Sequence, residues 1–316
     1  MTDSLVVAVA QIAPVWLDRH RTTAKIVERM QQAAAQGARL VTFGETLLPG
    51  YPFWLERTDG ARFNSPRQKE IHALYLDQAV QIEVGHLSLV TEAAADLKLA
   101  VTLGIAERPA DRGGHSVYCS AVQIGADGRI LSVHRKLMPT YEERLCWSPG
   151  DGHGLQVHDL APFRIGALNC WENWMPLSRA ALYALGEDLH IGLWPGGEHN
   201  THDLTRVQAK EGRSYVIAAC GLMRPGDVPA DLPHRDVMLA ETAPYWANGG
   251  SCIAAPDGSW VVPPAVGEET LLVATLDHAA VRRERQNFDP AGHYSRPDVT
   301  RLVVDRRRQA IAEFVD

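Results

Sequence analysis

An α/β fold with mixed β-sheets and helices packed outside them is what the sequence predicts, on three observations. Short β-rich apolar runs recur along the 316 residues, stretches with helical spacing separate most of them, and two tight turns join adjacent runs as hairpins. Alternating strands and helices alone would give a parallel sheet; the hairpins add antiparallel pairs. No internal repeat, low-complexity tract or composition break divides the chain, so residues 1–316 read as one domain.

Taken in order, Leu5 to Ile12 is rich in Val and Ala and reads as a buried strand. The start, Met1 to Ala10, has an acid at Asp3 and no basic stretch, so it reads as a strand and not as a signal peptide. A helix follows with Val27, Met30 and Ala34 on one face, ended by Gly37. Leu40 to Phe43 is a second strand. A helical stretch with Leu87, Val90, Ala94 and Leu97 on one face leads into the strand Ala100 to Ile105. Val117 to Ile124 and Ile130 to His134 flank a Gly125–Gly128 turn, the mark of a hairpin. Phe163 to Asn169, Leu189 to Leu193 and Tyr215 to Gly221 are three further buried strands with helices between them. The last third offers strands at Ser251–Ala255, Ser259–Val262 and Leu271–Leu276, the first two joined by a turn at Pro256. Met223 to Asn248, with four prolines among acids, reads as the one long loop.

Composition removes several classes of function. Hydrophobic residues make up 46% and charged residues 22%, enough apolar surface to offset chain entropy, so global disorder is excluded. With 31 Lys+Arg against 38 Asp+Glu the net charge is −7, which argues against a nucleic-acid partner. No apolar run approaches the roughly 18 residues of a membrane span. Cys119, Cys146, Cys170, Cys220 and Cys252 are odd in number, thinly spread and without a CxxC pair. They form neither a disulfide framework nor a common zinc site, and a reducing cytoplasmic setting is expected, with no metal or cofactor.

Four segments hold residues placed for chemistry. Glu45 ends a buried strand just before a Pro/Gly loop; a carboxylate there must pair or titrate, and is either a general base or a cap on loop amides. Lys136 ends another strand, with Glu142 and Glu143 beyond Pro139; a lysine so placed is most often solvated. Cys170 sits where a strand gives way to a turn, facing backbone N–H groups that favour thiolate and stabilise an oxyanion, although a buried inert thiol is the commoner case. Asp289 to Asp298 is dense in loop formers and polar residues. Gly150-Asp-Gly-His-Gly lacks the context of a dinucleotide loop and reads as a turn. His199 and His202 read as capping residues near a helix start rather than metal ligands, and the basic clusters at Arg282, Arg283, Arg285 and at Arg306–Arg308 as solvated faces or interface charges.

The order Glu, Lys, Cys, each at a strand end, resembles the nitrilase superfamily, whose catalytic set is Glu-Lys-Cys. Cys170-Trp-Glu-Asn-Trp-Met-Pro resembles the CWEN(Y/W)MP signature of the nitrilase branch. His134-Arg-Lys-Leu-Met-Pro-Thr with Glu143-Arg and Gly150-Asp-Gly resembles its HRKLxPT…ER…GDG segment, and Gly292-His-Tyr-Ser-Arg-Pro-Asp its GHYxRPD block. The resemblance runs from about Val7 to Val304, with three motifs in order. It implies a four-layer α-β-β-α sandwich with two mixed β-sheets, assembled as homodimers or larger homo-oligomers. It implies Cys170 as nucleophile, Glu45 as general base, Lys136 as the cation that stabilises the adduct, and Glu143, in preference to Glu142, as the additional acid. The implied reaction turns a small-molecule nitrile into the carboxylic acid and ammonia through a thioimidate and a thioester on Cys170. Amidase, carbamoylase or cyanide-degrading chemistry on the same triad is the alternative, and a non-catalytic binding protein a more distant one. Asn173 favours nitrilase over cyanide-degrading relatives, which usually carry His there. The sequence departs from the pattern at Gly44, where Pro is frequent, and in a short tail after about residue 304 in place of a long one. Tyr51, Phe53, Trp54, Trp147, Trp171 and Trp194 lie near the motifs; Tyr51, Trp147, Trp171 and Trp194 are the expected lining of an apolar substrate pocket.

Overall fold

Thirteen strands form two sheets in the computed structural model, which describes residues 3–313 and residue 315. Met1 and Thr2, the first two residues of the start expected as strand, lie outside the described residues. The first sheet contains β1 (Ser4–Gln11), β2 (Leu40–Phe43), β3 (Ala100–Glu107), β4 (Tyr118–Ile124) and β5 (Ile130–Arg135). The second contains β6 (His158–Leu160), β7 (Phe163–Asn169), β8 (Leu189–Trp194), β9 (Tyr215–Cys220), β10 (Leu222–Met223), β11 (Ala247–Ala254) and β12 (Trp260–Val266). The chain then returns through β13 (Thr270–Asp277) to the edge of the first sheet, antiparallel to β1. The orders are β13-β1-β2-β3-β4-β5 and β10-β11-β9-β8-β7-β6, with β12 paired to β11. β1-β2-β3 and β7-β8-β9 are parallel and the other pairs antiparallel, as the mixture of crossovers and hairpins predicts.

Period-two alternation decides which side chains meet. In β1, Leu5, Val7 and Val9 face inward and pack with Leu40, Ala100 and Ala121 against Ile165, Leu189, Ile191, Ile217 and Ile253 of the other sheet. Each such Val, Leu or Ile contributes about 1.5–3 kcal/mol by leaving water, which holds the two sheets face to face. The intervening Ala8 and Ala10 face outward, beneath Ile26, Met30 and Ala33 of α1 (Arg19–Ala35). After α2 (Trp54–Arg57) and α3 (Pro66–Gln78), α4 (Ser88–Leu97) covers the same face through Val90 and Ala94. On the far side, α5 (Pro176–Ala184) packs Ala181 and Leu182 on Leu168, and α6 (Glu198–Gly212) packs Leu204 and Ala209 over Ala218 and Val216. The layers are therefore helix, sheet, sheet, helix, the expected four-layer sandwich. The short α7 (Arg235–Met238) and α8 (His278–Glu284) complete the helices among the described residues.

Several local expectations change. The buried face of α1 is Thr22, Thr23, Ile26, Met30 and Ala33, one position off the expected Val27/Ala34 stripe, although Gly37 does end the helix at φ +80°. Met223 to Asn248 is not one structureless loop: it holds α7, and Val228, Leu232 and Met238 are buried against Trp16, Trp54 and Tyr75. The N-cap of α6 is Gly197, and the first helical N–H, of Glu198, donates to Asn248 Oδ1 (3.1 Å), so His199 and His202 are not capping residues; His202 bonds Asp203 and packs against Trp260. Arg285 and Arg308 are not solvated either. Arg285 donates to the Glu187 and Gly212 carbonyls, and Arg308 to Asp151 and the Val133 carbonyl. The Gly292–Asp298 block is fully surface-exposed, with Tyr294 stacked on Phe288.

Candidate active site

The carboxyl ends of β2 and β7 open on the same side of the sandwich, the edge at which open α/β sheets place their chemistry. Glu45 follows β2 by two residues. Its N–H donates to the carbonyl of Trp194 (3.1 Å), at the end of β8, which ties the strand end of one sheet to the other. Gly44 makes this approach possible. A Cβ there would lie 2.6 Å from the Gly221 nitrogen and 2.9 Å from the Trp194 oxygen, so the departure from Pro is a packing requirement of this chain.

Cys170 follows β7 directly and begins a single helical turn, Cys170–Trp174, with φ at +48°. A non-glycine residue in the left-handed region is strained by about 1 kcal/mol or more and needs neighbours that hold it. Two buried side chains do so. Glu172 accepts from the Asn169 N–H (3.0 Å), closing a capping box with Asn169, and also from the Leu137 N–H (2.7 Å) and His134 Nε2 (3.0 Å). It thus joins the Cys170 turn to the chain on both sides of Lys136. Asn173 donates to the Cys170 carbonyl (2.8 Å) and faces His190 Nε2 (2.8 Å), whose other nitrogen meets Glu187 (2.8 Å).

Lys136 follows β5 and is fully buried, not solvated. Its ammonium donates to Glu45 Oε1 (2.9 Å) and Glu143 Oε2 (2.6 Å). Glu143 sits in the turn Tyr141–Leu145 and accepts from the Thr140 N–H (2.6 Å) through a second capping box, while its Oε1 accepts from the Tyr51 hydroxyl (2.8 Å). Glu142 is half-buried and makes no contact with Lys136 among the described hydrogen bonds, so Glu143 is the acid beside the lysine. One ligand-type atom each from Glu45, Glu143 and Cys170 lies within 4.8 Å of the others. A metal would suit such a set, but the Lys136 ammonium already bonds both carboxylates and fills the cation's place.

Burial sets the charges here. It raises the Glu45 carboxyl from 4.5 to about 7; Lys136 pulls it down and Glu143 pushes it up. Burial, then the charge of Glu45, holds the Cys170 thiol well above its ordinary value, with Lys136 and the Trp171 backbone N–H acting the other way. For Lys136, burial disfavours the ammonium, yet its setting between the Cys170 sulfur and the carboxylates of Glu45 and Glu143 keeps it well above the ordinary lysine value. Burial likewise keeps Tyr51 a protonated donor. A neutral thiol, a carboxylate able to take its proton near neutrality and a fixed cation make a nucleophile, a base and a charge stabiliser.

Of the four aromatic residues expected at the substrate, Tyr51 and Trp147 stack edge-on (5.4 Å) beside Glu143, and the Lys136 ammonium lies 5.6 Å from the Trp147 ring. Trp194 is buried with Cys170, Leu204, Cys220 and Cys252. The Trp171 side chain is 51% exposed, apart from this buried cluster. Of the two side chains that hold the Cys170 turn, Glu172 stands in the sequence only as a motif letter, and Asn173 only as a mark against cyanide-degrading chemistry. The Asn169-x-x-Glu172 and Thr140-x-x-Glu143 spacings were the legible sign that both acids close turns. Cys119, whose thiol donates to Glu45 Oε1 (3.2 Å), gave no signal at all.

Comparison with known proteins agrees with this geometry. Residues 6–286 match the family model described as carbon-nitrogen hydrolase. The chain is 37% identical to "Nitrilase 2" from an unknown prokaryotic organism, over 98% of its own length and 95% of that protein's. It is 38% identical to a nitrilase of Pseudomonas syringae pv. syringae, over 96% and 90% of the two chains. The solved structure of an amidase from Nesterenkonia sp. superposes with a TM-score of 0.64 at 18% identity, over 90% of this chain and 94% of that one, which shows the shared fold. Such enzymes hydrolyse carbon–nitrogen bonds other than peptide bonds, and this chain belongs to the carbon-nitrogen hydrolase family, in its nitrilase branch.

Proposed function

We propose that the protein is a nitrilase that converts an organic nitrile to the carboxylic acid and ammonia on Cys170. The observation that carries this is the buried contact of Lys136 with both Glu45 and Glu143 beside a thiol on a strained turn, in a chain whose curated relatives are named nitrilases. Glu45 takes the Cys170 proton as sulfur attacks the nitrile carbon, and the proton passes to nitrogen to give a thioimidate. Water adds across the carbon–nitrogen double bond, both of its protons pass to the nitrogen, and ammonia leaves to give a thioester. A second water, deprotonated by Glu45, releases the acid and restores the thiol. Lys136 and the Trp171 N–H stabilise the charge that develops on the adduct, and Glu143, supported by Tyr51, holds Lys136 in place. Tyr51, Trp147, Trp171 and Trp194 are the proposed substrate-binding residues, suited to an aryl or arylaliphatic group.

The same reading has one catalytic domain over residues 1–316, working in the cytoplasm as a homodimer or larger homo-oligomer. All five cysteines are unpaired, which supports a reducing compartment. Among the described residues no helix is long and apolar enough to cross a membrane. Exposed Trp174, Met175 and Leu177 at the start of α5 support an association surface. The test is ammonia release across aliphatic, aromatic and arylacetonitriles, with amide and acid products resolved. Cys170→Ala is expected to abolish release with the fold intact; turnover by that variant, or release from amides alone, would overturn the reading.

A further inference from the structure

The Glu45 carboxylate is held unevenly. Oε1 accepts two donors, the Lys136 ammonium at 2.9 Å and the Cys119 thiol at 3.2 Å, whereas Oε2 is buried and has no partner. Cys119 lies in β4, fully buried, and its backbone carbonyl accepts the Lys136 N–H at 2.8 Å. Pairing of β4 with β5 therefore sets the thiol and the ammonium side by side on one oxygen. The last torsion of a glutamate is soft and nearly two-fold, so without such donors either oxygen can present itself to the nucleophile.

We propose that Cys119 is a positioning residue for Glu45: with Lys136 it saturates Oε1 and so makes Oε2 the oxygen that takes the Cys170 proton. The inference rests on the reading of Glu45 as the base. The step balances simply. The Cys170 S–H bond breaks, its proton forms a bond to Oε2, and the electron pair stays on Cys170 sulfur for attack. Cys119 keeps its own proton throughout, because burial and the neighbouring Glu45 charge hold its thiol well above the ordinary range. It also lacks what makes Cys170 a nucleophile, since it sits within a strand and has no turn amide directed at its sulfur. Two thiols thus share one carboxylate, one as a fixed donor and one as the proton source. Serine should replace the donor; alanine should not.

The test uses the full-length enzyme with iodoacetamide as probe. Carboxamidomethylation of Cys170 is followed by peptide mass spectrometry between pH 5.5 and 9 for the wild type, C119A and C119S, each also combined with E45Q. C119A is expected to slow alkylation at pH 7 about tenfold and to move the pH midpoint upward, as a carboxylate losing one donor becomes harder to ionise. C119S should return to within about threefold of wild type, since a hydroxyl donates more strongly than a thiol but reaches less far. In the Glu45→Gln background the Cys119 change should have no further effect. A wild-type rate and midpoint in C119A, or an equal loss with and without Glu45, would overturn the role of Cys119 alone. If Glu45→Gln by itself leaves Cys170 alkylation unchanged, the assignment of the base falls, and this inference with it.

Discussion

Replacing Glu172 by Gln tests how the site is built, because the two side chains share a shape and differ in what they offer. The Glu172 carboxylate serves three buried donors: the N–H groups of Asn169 and Leu137 and the His134 ring. Glutamine keeps one acceptor oxygen and puts an NH2 group where the other stood. One backbone N–H then faces a donor, and the new amide hydrogens face no acceptor. Two buried donors without partners cost about 1–3 kcal/mol each, so the loss is about 2–6 kcal/mol. Against a total stability of about 5–15 kcal/mol that is a large fraction. Function should fall further, because Asn169 adjoins Cys170 and Leu137 adjoins Lys136. A shift of about 1 Å in either reacting group lowers turnover about a hundredfold. Urea unfolding followed by circular dichroism, with ammonia release on the same preparation, measures both effects. An unfolding midpoint and kcat/KM equal to wild type would refute the view that Glu172 joins the two halves of the site.

Two further expectations concern charge and space. The Glu45 carboxyl, raised from 4.5 to about 7 by burial, must be ionised to act, so kcat/KM should climb with pH through about 7; a flat profile from pH 5.5 to 8 would contradict this. The sign for stability is opposite, since a carboxyl raised in the folded state favours the fold below that value and loses its contribution as pH rises through it. Gly44→Ala should lower stability by about 1–3 kcal/mol and displace Glu45, because the added methyl would lie 2.6 Å from the Gly221 nitrogen; wild-type melting and turnover would remove that argument.

Much of the sandwich was legible because strand periodicity and helix punctuation are local. β1 alternates its faces residue by residue, and Gly37 ends α1 at a positive φ. α3 was not legible: although Ser65 caps it and Pro66 starts it, only Ile71 and Tyr75 of its thirteen residues are buried, too sparse a stripe to stand out. The 223–248 segment misled for the opposite reason, since its prolines mask the apolar Val228, Leu232 and Met238 that anchor it. At the site, Glu45 and Cys170 could be singled out from their positions at strand ends. That Lys136 is buried, and bonded to both Glu45 and Glu143, depends on a hairpin meeting a crossover across about 90 residues of sequence, which no local pattern encodes. Cys119 was invisible because a thiol inside a strand looks like any small apolar residue.

The tail of the chain has a practical bearing on how the protein is handled. Arg308 and the Gln309 N–H both close on Asp151, whose neighbour Gly150 donates to the Lys136 carbonyl. From the tail to the lysine there are thus only two links. Shortening the chain ahead of Arg308, or fusing a bulky affinity tag close behind it, would alter the backbone that carries the ammonium. Activity lost in such a preparation would report on Asp151 and its anchor before it reported on the triad, and an untagged C-terminus is the proper reference for every variant considered above.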